Sequence, residues 1–348
     1  NRFGISNPRS FVVSSQDEVV KAGGNNLPEK AQELAINAIV NGRADGNARD
    51  FYKVTLAAGQ RVLVECWAER IDSRMDPTLA ILGPDGRELA RNRDLEFSDA
   101  VIDFTAPAAG QYVVVLYDFV FAGGPEHFYR LSVHNRPHVD FIFPPSGPPG
   151  SNNTYTIYGR NLPGGQPAEN MRLDGRVLQK ITAQIAIPAD ENAFAPAAGL
   201  LTLPRTSTLD RIEYRLPGAD PVSVGVAKGP QILEQEPNDT AAQAQKITVP
   251  CEFVGQFYPK RDHDWLQFEA KKGEVFIFDV LAHRLGLECD PLLAVKKVGK
   301  NDKGEEVMTD IATVDDPGDR NARIGGDFDT STDDPSYKLS LIHISEPT

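Results

Sequence analysis

DFYKVTLAAGQRVLVECWAERIDSRMDPTLA, residues 50–80, and DWLQFEAKKGEVFIFDVLAHRLGLECDPLLA, residues 264–294, are two versions of one pattern. Asp50, Gly59, Ala68, Arg70, Asp76, Pro77, Leu79 and Ala80 recur 214 positions later as Asp264, Gly273, Ala282, Arg284, Asp290, Pro291, Leu293 and Ala294. Upstream, Asn25, Ala31, Gln32 and Gly42 recur 213 positions later as Asn238, Ala244, Gln245 and Gly255, so one residue is inserted between Gly255 and Asp264. A period this long lies far above that of a solenoid repeat and marks duplication of a whole domain. Val62, Val64 and Cys66 align with Phe276, Phe278 and Val280, apolar in both copies, while the intervening Glu65 aligns with Asp279. Tyr52, Val54 and Leu56 align in the same way with Leu266, Phe268 and Ala270. A period of two places these apolar side chains on one face of a strand, towards the core, with the acids pointing the other way.

Outward from that stretch, 51–56, 61–69, 77–82, 99–105, 111–119 and 127–133 read as strands, punctuated by Gly59, GPDG (83–86), APAAG (106–110) and FAGGP (121–125). Short strands at close intervals with Gly/Pro turns predict an antiparallel sandwich. A helical pattern is confined to 27–35 and 239–247, each a turn or two long. Between the copies, PPSGPPGSNN reads as a loop and TYTIYG alternates as a half-buried strand, within a segment sized for a small Ig-like domain. The predicted class is all-β: tandem antiparallel β-sandwiches. Their expected bounds are 1–22 for an upstream tail or first strand, 23–135 for the first copy, 136–230 for the Ig-like domain and 231–338 for a second copy cut short before its closing strands. Residues 339–348, LSLIHISEPT, resemble the translation of a sequencing-library adapter and are set aside; with a start at Asn1 rather than Met, they predict a fragment of a longer chain.

The 348 residues carry 36 Lys and Arg against 49 Asp and Glu, a net charge of −13. That balance argues against a nucleic-acid or anionic-membrane surface and favours cation binding. No run of 18 apolar residues predicts a membrane span. Of the three cysteines, Cys251 and Cys289 share the second copy; they pair in an oxidising compartment or remain two thiols.

EQEPNDTAAQAQKI (234–247), VGQFYPKRDHDWLQFEAKKGEVFIFDV (254–280) and CDPLLAV (289–295) resemble the bacterial pre-peptidase C-terminal (PPC) domain. The first copy resembles it through NN (25–26), VNG (40–42), RDFYKV (49–54), AAGQRVLVE (57–65), MDPTLAIL (75–82), PDGREL (84–89), DFTAPAAGQYVVVLYD (103–118) and YRLSV (129–133). PPSGPPGSNNTYTIYGRNL (144–162) resembles, less specifically, the start of an IPT/TIG Ig-like domain. The resemblance implies jelly-roll-like sandwiches appended to secreted bacterial enzymes, often peptidases, as accessory modules that in some members bind substrate and in others calcium. Secretion, a periplasmic location or a cell-surface one is then expected. So are neighbouring domains of a parent chain and an unknown protein or polysaccharide ligand as partners.

The second copy opens with Glu234, Glu236, Asn238 and Asp239 and carries Asp262 and Asp264 after Gly255. Hard oxygen groups at alternating positions, facing a D-x-D turn, suit Ca²⁺, which takes six to eight oxygen ligands. Calcium-binding members of the resembled family hold their metal with this linker and turn; the other reading is a solvated acidic linker. The first copy has Lys21, Gly23 and Asn26 where the second has Glu234, Glu236 and Asp239, and Ala48 or Arg49 where it has Asp262. At most one calcium site is expected, in the second copy. The acidic run 315–334 fails as an EF-hand started at Asp327, with Thr332 at the position needing Gly and Lys338 at the one needing Glu, and reads as a solvated loop. Asp50, Asp264, Asp76 and Asp290 persist in both copies and read as turn and cap residues. Phe51 and Trp265 begin matching strands on the non-core face, for a binding surface or for packing against a loop. G-x-S-x-G, H-E-x-x-H, Walker and G-x-G-x-x-G patterns are all lacking. The expected function is non-catalytic binding or spacing within a larger exported protein. The alternatives are part of a secreted hydrolase whose catalytic domain lies elsewhere, and a purely structural stalk.

Overall fold

The computed structural model describes residues 11–93, 99–173, 175–194, 210–259, 261–285, 289–315, 323–324, 328–329 and 334–342. Among these there are strands and short 3-10 turns and no α-helix, so the chain is all-β. It divides into two compact units, Asn1–Pro137 and His138–Thr348.

The first unit holds β1 (Glu18–Val20), β2 (Gln32–Glu33), β3 (Ile39–Arg43), β4 (Asp50–Leu56), β5 (Arg61–Trp67), β6 (Pro77–Leu82), β7 (Glu88–Arg93), β8 (Val101–Thr105), β9 (Gly110–Asp118) and β10 (Phe128–His134). They form two five-stranded sheets, β1-β3-β10-β5-β8 and β2-β4-β9-β6-β7. Between the sheets lies one core containing Tyr52, Val54, Leu56, Val62, Val64 and Cys66, the apolar alternation shared by the two copies. The helical stretch at 27–35 is a single 3-10 turn, Pro28–Lys30, which Pro at its start suits, followed by β2. All six strands read from the sequence are present; β2, β3 and β7 were not visible in it.

Glu65 points away from the main core but is only 3% exposed, because β5 is buried on both faces. Its carboxylate lies 3.2 Å from Arg70 Nη2 and 3.4 Å from His134 Nε2. Phe51 on the outer face of β4 is buried in a satellite cluster with Ala80, Val115 and Tyr117, so it packs rather than presents itself.

The second unit begins with β11 (His138–Phe143), β12 (Ser146–Gly147), β13 (Asn152–Arg160), β14 (Gln166–Leu173), β15 (Arg176–Ala186), β16 (Arg211–Tyr214) and β17 (Val222–Val226). These make the sheets β11-β13-β15-β14 and β12-β17-β16, which share a core of Val139, Ile157, Ile185, Val224 and others. There follow β18 (Gln231–Leu233), β19 (Gln245–Lys246), β20 (Glu252–Val254), β21 (Leu266–Gln267), β22 (Val275–Asp279), β23 (Leu293–Lys300), β24 (Glu306–Val314), β25 (Arg323–Ile324), β26 (Phe328–Asp329) and β27 (Ser336–Ser340).

Pairing in this last group repeats that of the first unit. β18 pairs with β20 in parallel as β1 does with β3, and β19 with β21 as β2 does with β4. β23 pairs antiparallel with β24 as β6 does with β7, and β22 with β27 as β5 does with β8. Counterparts of β9 and β10 are lacking among the described residues. In the first unit those two strands join β4 to β6 and β3 to β5. Without them each sheet separates into two-stranded pieces, and Ile277 is 72% exposed where its repeat equivalent Leu63 is fully buried.

Candidate metal centre

The segment leaving β18 is held by a glutamine common to both copies. Gln245 accepts from the Gln235 amide at 2.8 Å and donates to the Leu233 carbonyl at 2.9 Å. Gln32 does the same for Ala22 and Val20 at 2.6 and 3.0 Å. The next contact is also repeated: the Glu234 amide donates to the Val254 carbonyl at 2.9 Å, and the Lys21 amide to the Asn41 carbonyl at 2.9 Å. Glu234 and Glu236 therefore leave the chain on either side of a clamped Gln235, at positions fixed by backbone and not by the carboxylates themselves.

Asn238 is fully buried. Its carbonyl accepts from the Trp265 amide at 3.0 Å and its amide donates to Glu236 Oε2 at 2.8 Å, which draws the linker against the turn bearing Asp262 and Asp264. The result is two overlapping acidic groups. Oxygens of Glu234, Glu236 and Asp264 lie within 4.8 Å of one another, as do those of Glu236, Asp239 and Asp262. All five carboxylates picked out in the sequence thus converge, with Glu236 common to both groups. Asp262 also accepts from the Tyr258 amide at 2.7 Å and the His263 amide at 2.8 Å, which sets the shape of the turn.

Glu234 is the most constrained of them. Its Oε2 accepts from the Gln256 amide at 2.9 Å, while Oε1 is buried with no hydrogen-bond donor among the described residues. A Cβ on Gly255 would stand 2.7 Å from that Oε1, so the repeated glycine makes room for the carboxylate here. A buried acceptor with no donor is costly, and a cation relieves it. Burial, and then the adjoining Glu234 carboxylate, push Asp264 up to about 8, while the neighbouring Asp262 raises Asp239. Oxygen-only donors of this kind fit a hard cation such as Ca²⁺.

A pH dependence follows from Asp264. Its folded-state pKa lies above that of an unfolded aspartate, about 4, so between those values the folded state holds a proton that the unfolded chain has released. Metal-free stability of this region should fall as pH rises through that window and level off above about 8. Cation affinity should move the other way, because binding must displace the proton. Thermal melts from pH 5 to 9 in EDTA and in Ca²⁺ would read both trends; parallel profiles would contradict them.

The first copy is built differently at the same place. Asp50 is not a turn or cap residue: it is 3% exposed, lies 2.7 Å from Lys21 Nζ, and accepts from the Tyr129 hydroxyl at 2.6 Å. The capping acids are two that the repeat register did not mark. Asp99 accepts from the amides of Ala68, Glu69 and Arg70 at 2.9, 2.7 and 3.3 Å and from Arg70 Nε at 2.8 Å. Asp334 repeats this for Ala282 and Arg284, at 2.8 Å from the first amide and 2.9 Å from both the second amide and Arg284 Nε. Most of the acidic run 315–334 lies outside the described residues, but Asp334 is 1% exposed and not part of a solvated loop. Cys66, Cys251 and Cys289 are all free thiols.

The model of the family described as bacterial pre-peptidase C-terminal domain matches residues 48–118. No curated protein sequence matches the chain. Among solved structures, the chain is similar to the pre-peptidase C-terminal domain of a collagenase from Bacillus anthracis, with 21% identity and a TM-score of 0.26 over 31% of this chain and 99% of that one. It is also similar to PliG of Aeromonas hydrophila, a periplasmic inhibitor of g-type lysozyme, with 17% identity and a TM-score of 0.24 over 30% of this chain and 96% of that one. Residues 48–118, from the turn ahead of β4 to the end of β9, carry a bacterial pre-peptidase C-terminal domain.

Proposed function

We propose that this chain is a set of non-catalytic accessory modules of a larger exported bacterial protein, and that the second copy of the repeat is its calcium-responsive element. On this reading 23–135 and 231–338 are PPC domains flanking an Ig-like domain at 136–230, and they bind or space a partner domain or an external protein or polysaccharide. The observation that carries the metal assignment is the meeting of Glu234, Glu236 and Asp264, with Glu234 Oε1 buried and without a donor among the described residues. Asp239 and Asp262 add oxygens through Glu236, and Asn238 holds the linker in place beneath them. Placing the site in the linker gives calcium a mechanical role. The ion would tie the segment after β18 to the turn before β21 and fix the entry to the module.

Calorimetry with Ca²⁺ on the whole chain tests this. Affinity in the range of extracellular calcium modules, a Kd of about 10⁻⁴–10⁻³ M, is expected, weakened about tenfold or more by Glu234→Gln and by Glu236→Ala. Absence of heat in the unaltered chain would remove the metal assignment. Heat that both substitutions leave unchanged would move the ion elsewhere.

A further inference from the structure

Lys21 and Glu234 occupy equivalent places. Each follows the first strand of its copy, each donates its amide to the equivalent carbonyl of the neighbouring strand at 2.9 Å, and each is followed by a residue clamped by the repeated glutamine. Their side chains also reach towards the same acid of the repeat. Lys21 Nζ lies 2.7 Å from Asp50, and an oxygen of Glu234 lies within 4.8 Å of one of Asp264. The Lys21 ammonium has three protons to donate. It stands among three oxygens: Asp50 Oδ1 at 2.7 Å, the Arg43 carbonyl at 2.8 Å and Asp45 Oδ2 at 2.9 Å. The lysine side chain is only 11% exposed and that of Asp50 only 4%. Asp50 in turn receives the hydroxyl of Tyr129, which touches the Tyr52 hydroxyl at 2.5 Å, so the pair closes the end of the main core.

We infer that Lys21 is the resident cation of the first copy: its ammonium does there what a divalent ion does in the second, and it excludes such an ion. The second half of this statement rests on the calcium reading of the second copy; the first half stands on the first unit alone. This exchange, beside the loss of the acids equivalent to Glu236, Asp239 and Asp262, then sets the first copy apart from the calcium-responsive one. A glutamate brings a second carboxylate and requires an external cation, whereas a lysine supplies the charge covalently.

Hydrogen exchange of the full chain, followed by mass spectrometry with and without millimolar Ca²⁺, tests both halves. In the unaltered chain, peptides covering 39–56 should exchange at the same rate in either condition. Lys21→Met should speed their exchange about a hundredfold, as expected when a buried pair loses one partner. Adding Asp50→Asn to Lys21→Met should recover part of that loss, because the uncompensated charge goes with its partner. Lys21→Glu combined with Gly23→Glu, which has open space for a side chain, should make the same peptides calcium-sensitive, and Gly23→Glu alone should not. An unchanged rate in Lys21→Met, or a double variant no better protected than the single one, overturns the resident-cation role. A Lys21→Glu/Gly23→Glu chain indifferent to Ca²⁺, or a Gly23→Glu chain that responds to it with Lys21 in place, overturns the exclusion. Failure of the calcium reading shows separately, as no effect of Ca²⁺ on peptides covering 231–267 of the unaltered chain.

Discussion

Asp99→Ala is expected to destabilise the first unit by about 3–5 kcal/mol, the range for removing one partner of a buried ion pair. The carboxylate has no exposed side-chain surface and serves four donors, three of them backbone amides in the turn after β5 and the fourth Arg70 Nε. Alanine would leave the three amides without their acceptor and Arg70 with Glu65 as its remaining carboxylate partner. Asn would keep the shape while losing the charge, and should cost less. Urea unfolding, with exchange of peptides covering 61–72 as the local readout, checks both. A loss under about 1 kcal/mol for Asp99→Ala would mean that water takes over the amides and that the turn is less dry than its burial indicates.

The same glycine substitution should give opposite results in the two copies. A Cβ on Gly42 would run into the ring of Tyr129, which is buried at 1% exposure and tied through its hydroxyl to Asp50 and Tyr52. A ring so held cannot swing aside, and Gly42→Ala should cost about 1–3 kcal/mol in overpacking. A Cβ on Gly255 meets side-chain ends instead, Glu234 Oε1 at 2.7 Å and Phe253 Cε1 at 3.0 Å. That carboxylate can rotate away, so Gly255→Ala should leave metal-free stability nearly unchanged. It should weaken Ca²⁺ binding about tenfold, since the ligand most tightly placed by its surroundings is the one displaced. Melting curves in EDTA and titrations with Ca²⁺ on both variants separate the outcomes. If Gly255→Ala destabilises the metal-free chain as much as Gly42→Ala does, the glycine serves the fold in both copies and the site in neither.

Strands were legible in the sequence wherever a period of two was reinforced by the repeat. Val62, Val64 and Cys66 beside Phe276, Phe278 and Val280 identified a core face because two unlike surfaces had kept it. Where only one copy supplied a signal the reading weakened. β7 breaks the alternation, with Leu89 and Ala90 adjacent among Glu88, Arg91, Asn92 and Arg93, and it is an edge strand. Alternation placed Glu65 away from the main core, but it reports which face a side chain takes, and not whether a second layer covers that face. Arg70 and Arg284 stood out as repeated, yet their partners Asp99 and Asp334 did not, since they lie outside the 214-residue register and pair only through space.

The candidate site divides along the same line. The sequence by itself determined an all-β fold, an internal repeat, and the presence of Glu234, Glu236, Asp239 and Asp262 in one half of that repeat against Lys21, Gly23, Asn26 and Ala48 or Arg49 in the other. These properties are local or repeat at a fixed spacing, so they survive being written in one dimension. Only the tertiary structure decided that these four carboxylates and Asp264 converge, that Glu234 Oε1 is buried without a donor among the described residues, and that Gly255 is what makes room for it. Only it placed the Lys21 ammonium on Asp50. Charge in a sequence is a property of residues; whether it is balanced depends on distance and on exclusion of water, and both arise when the strands pair.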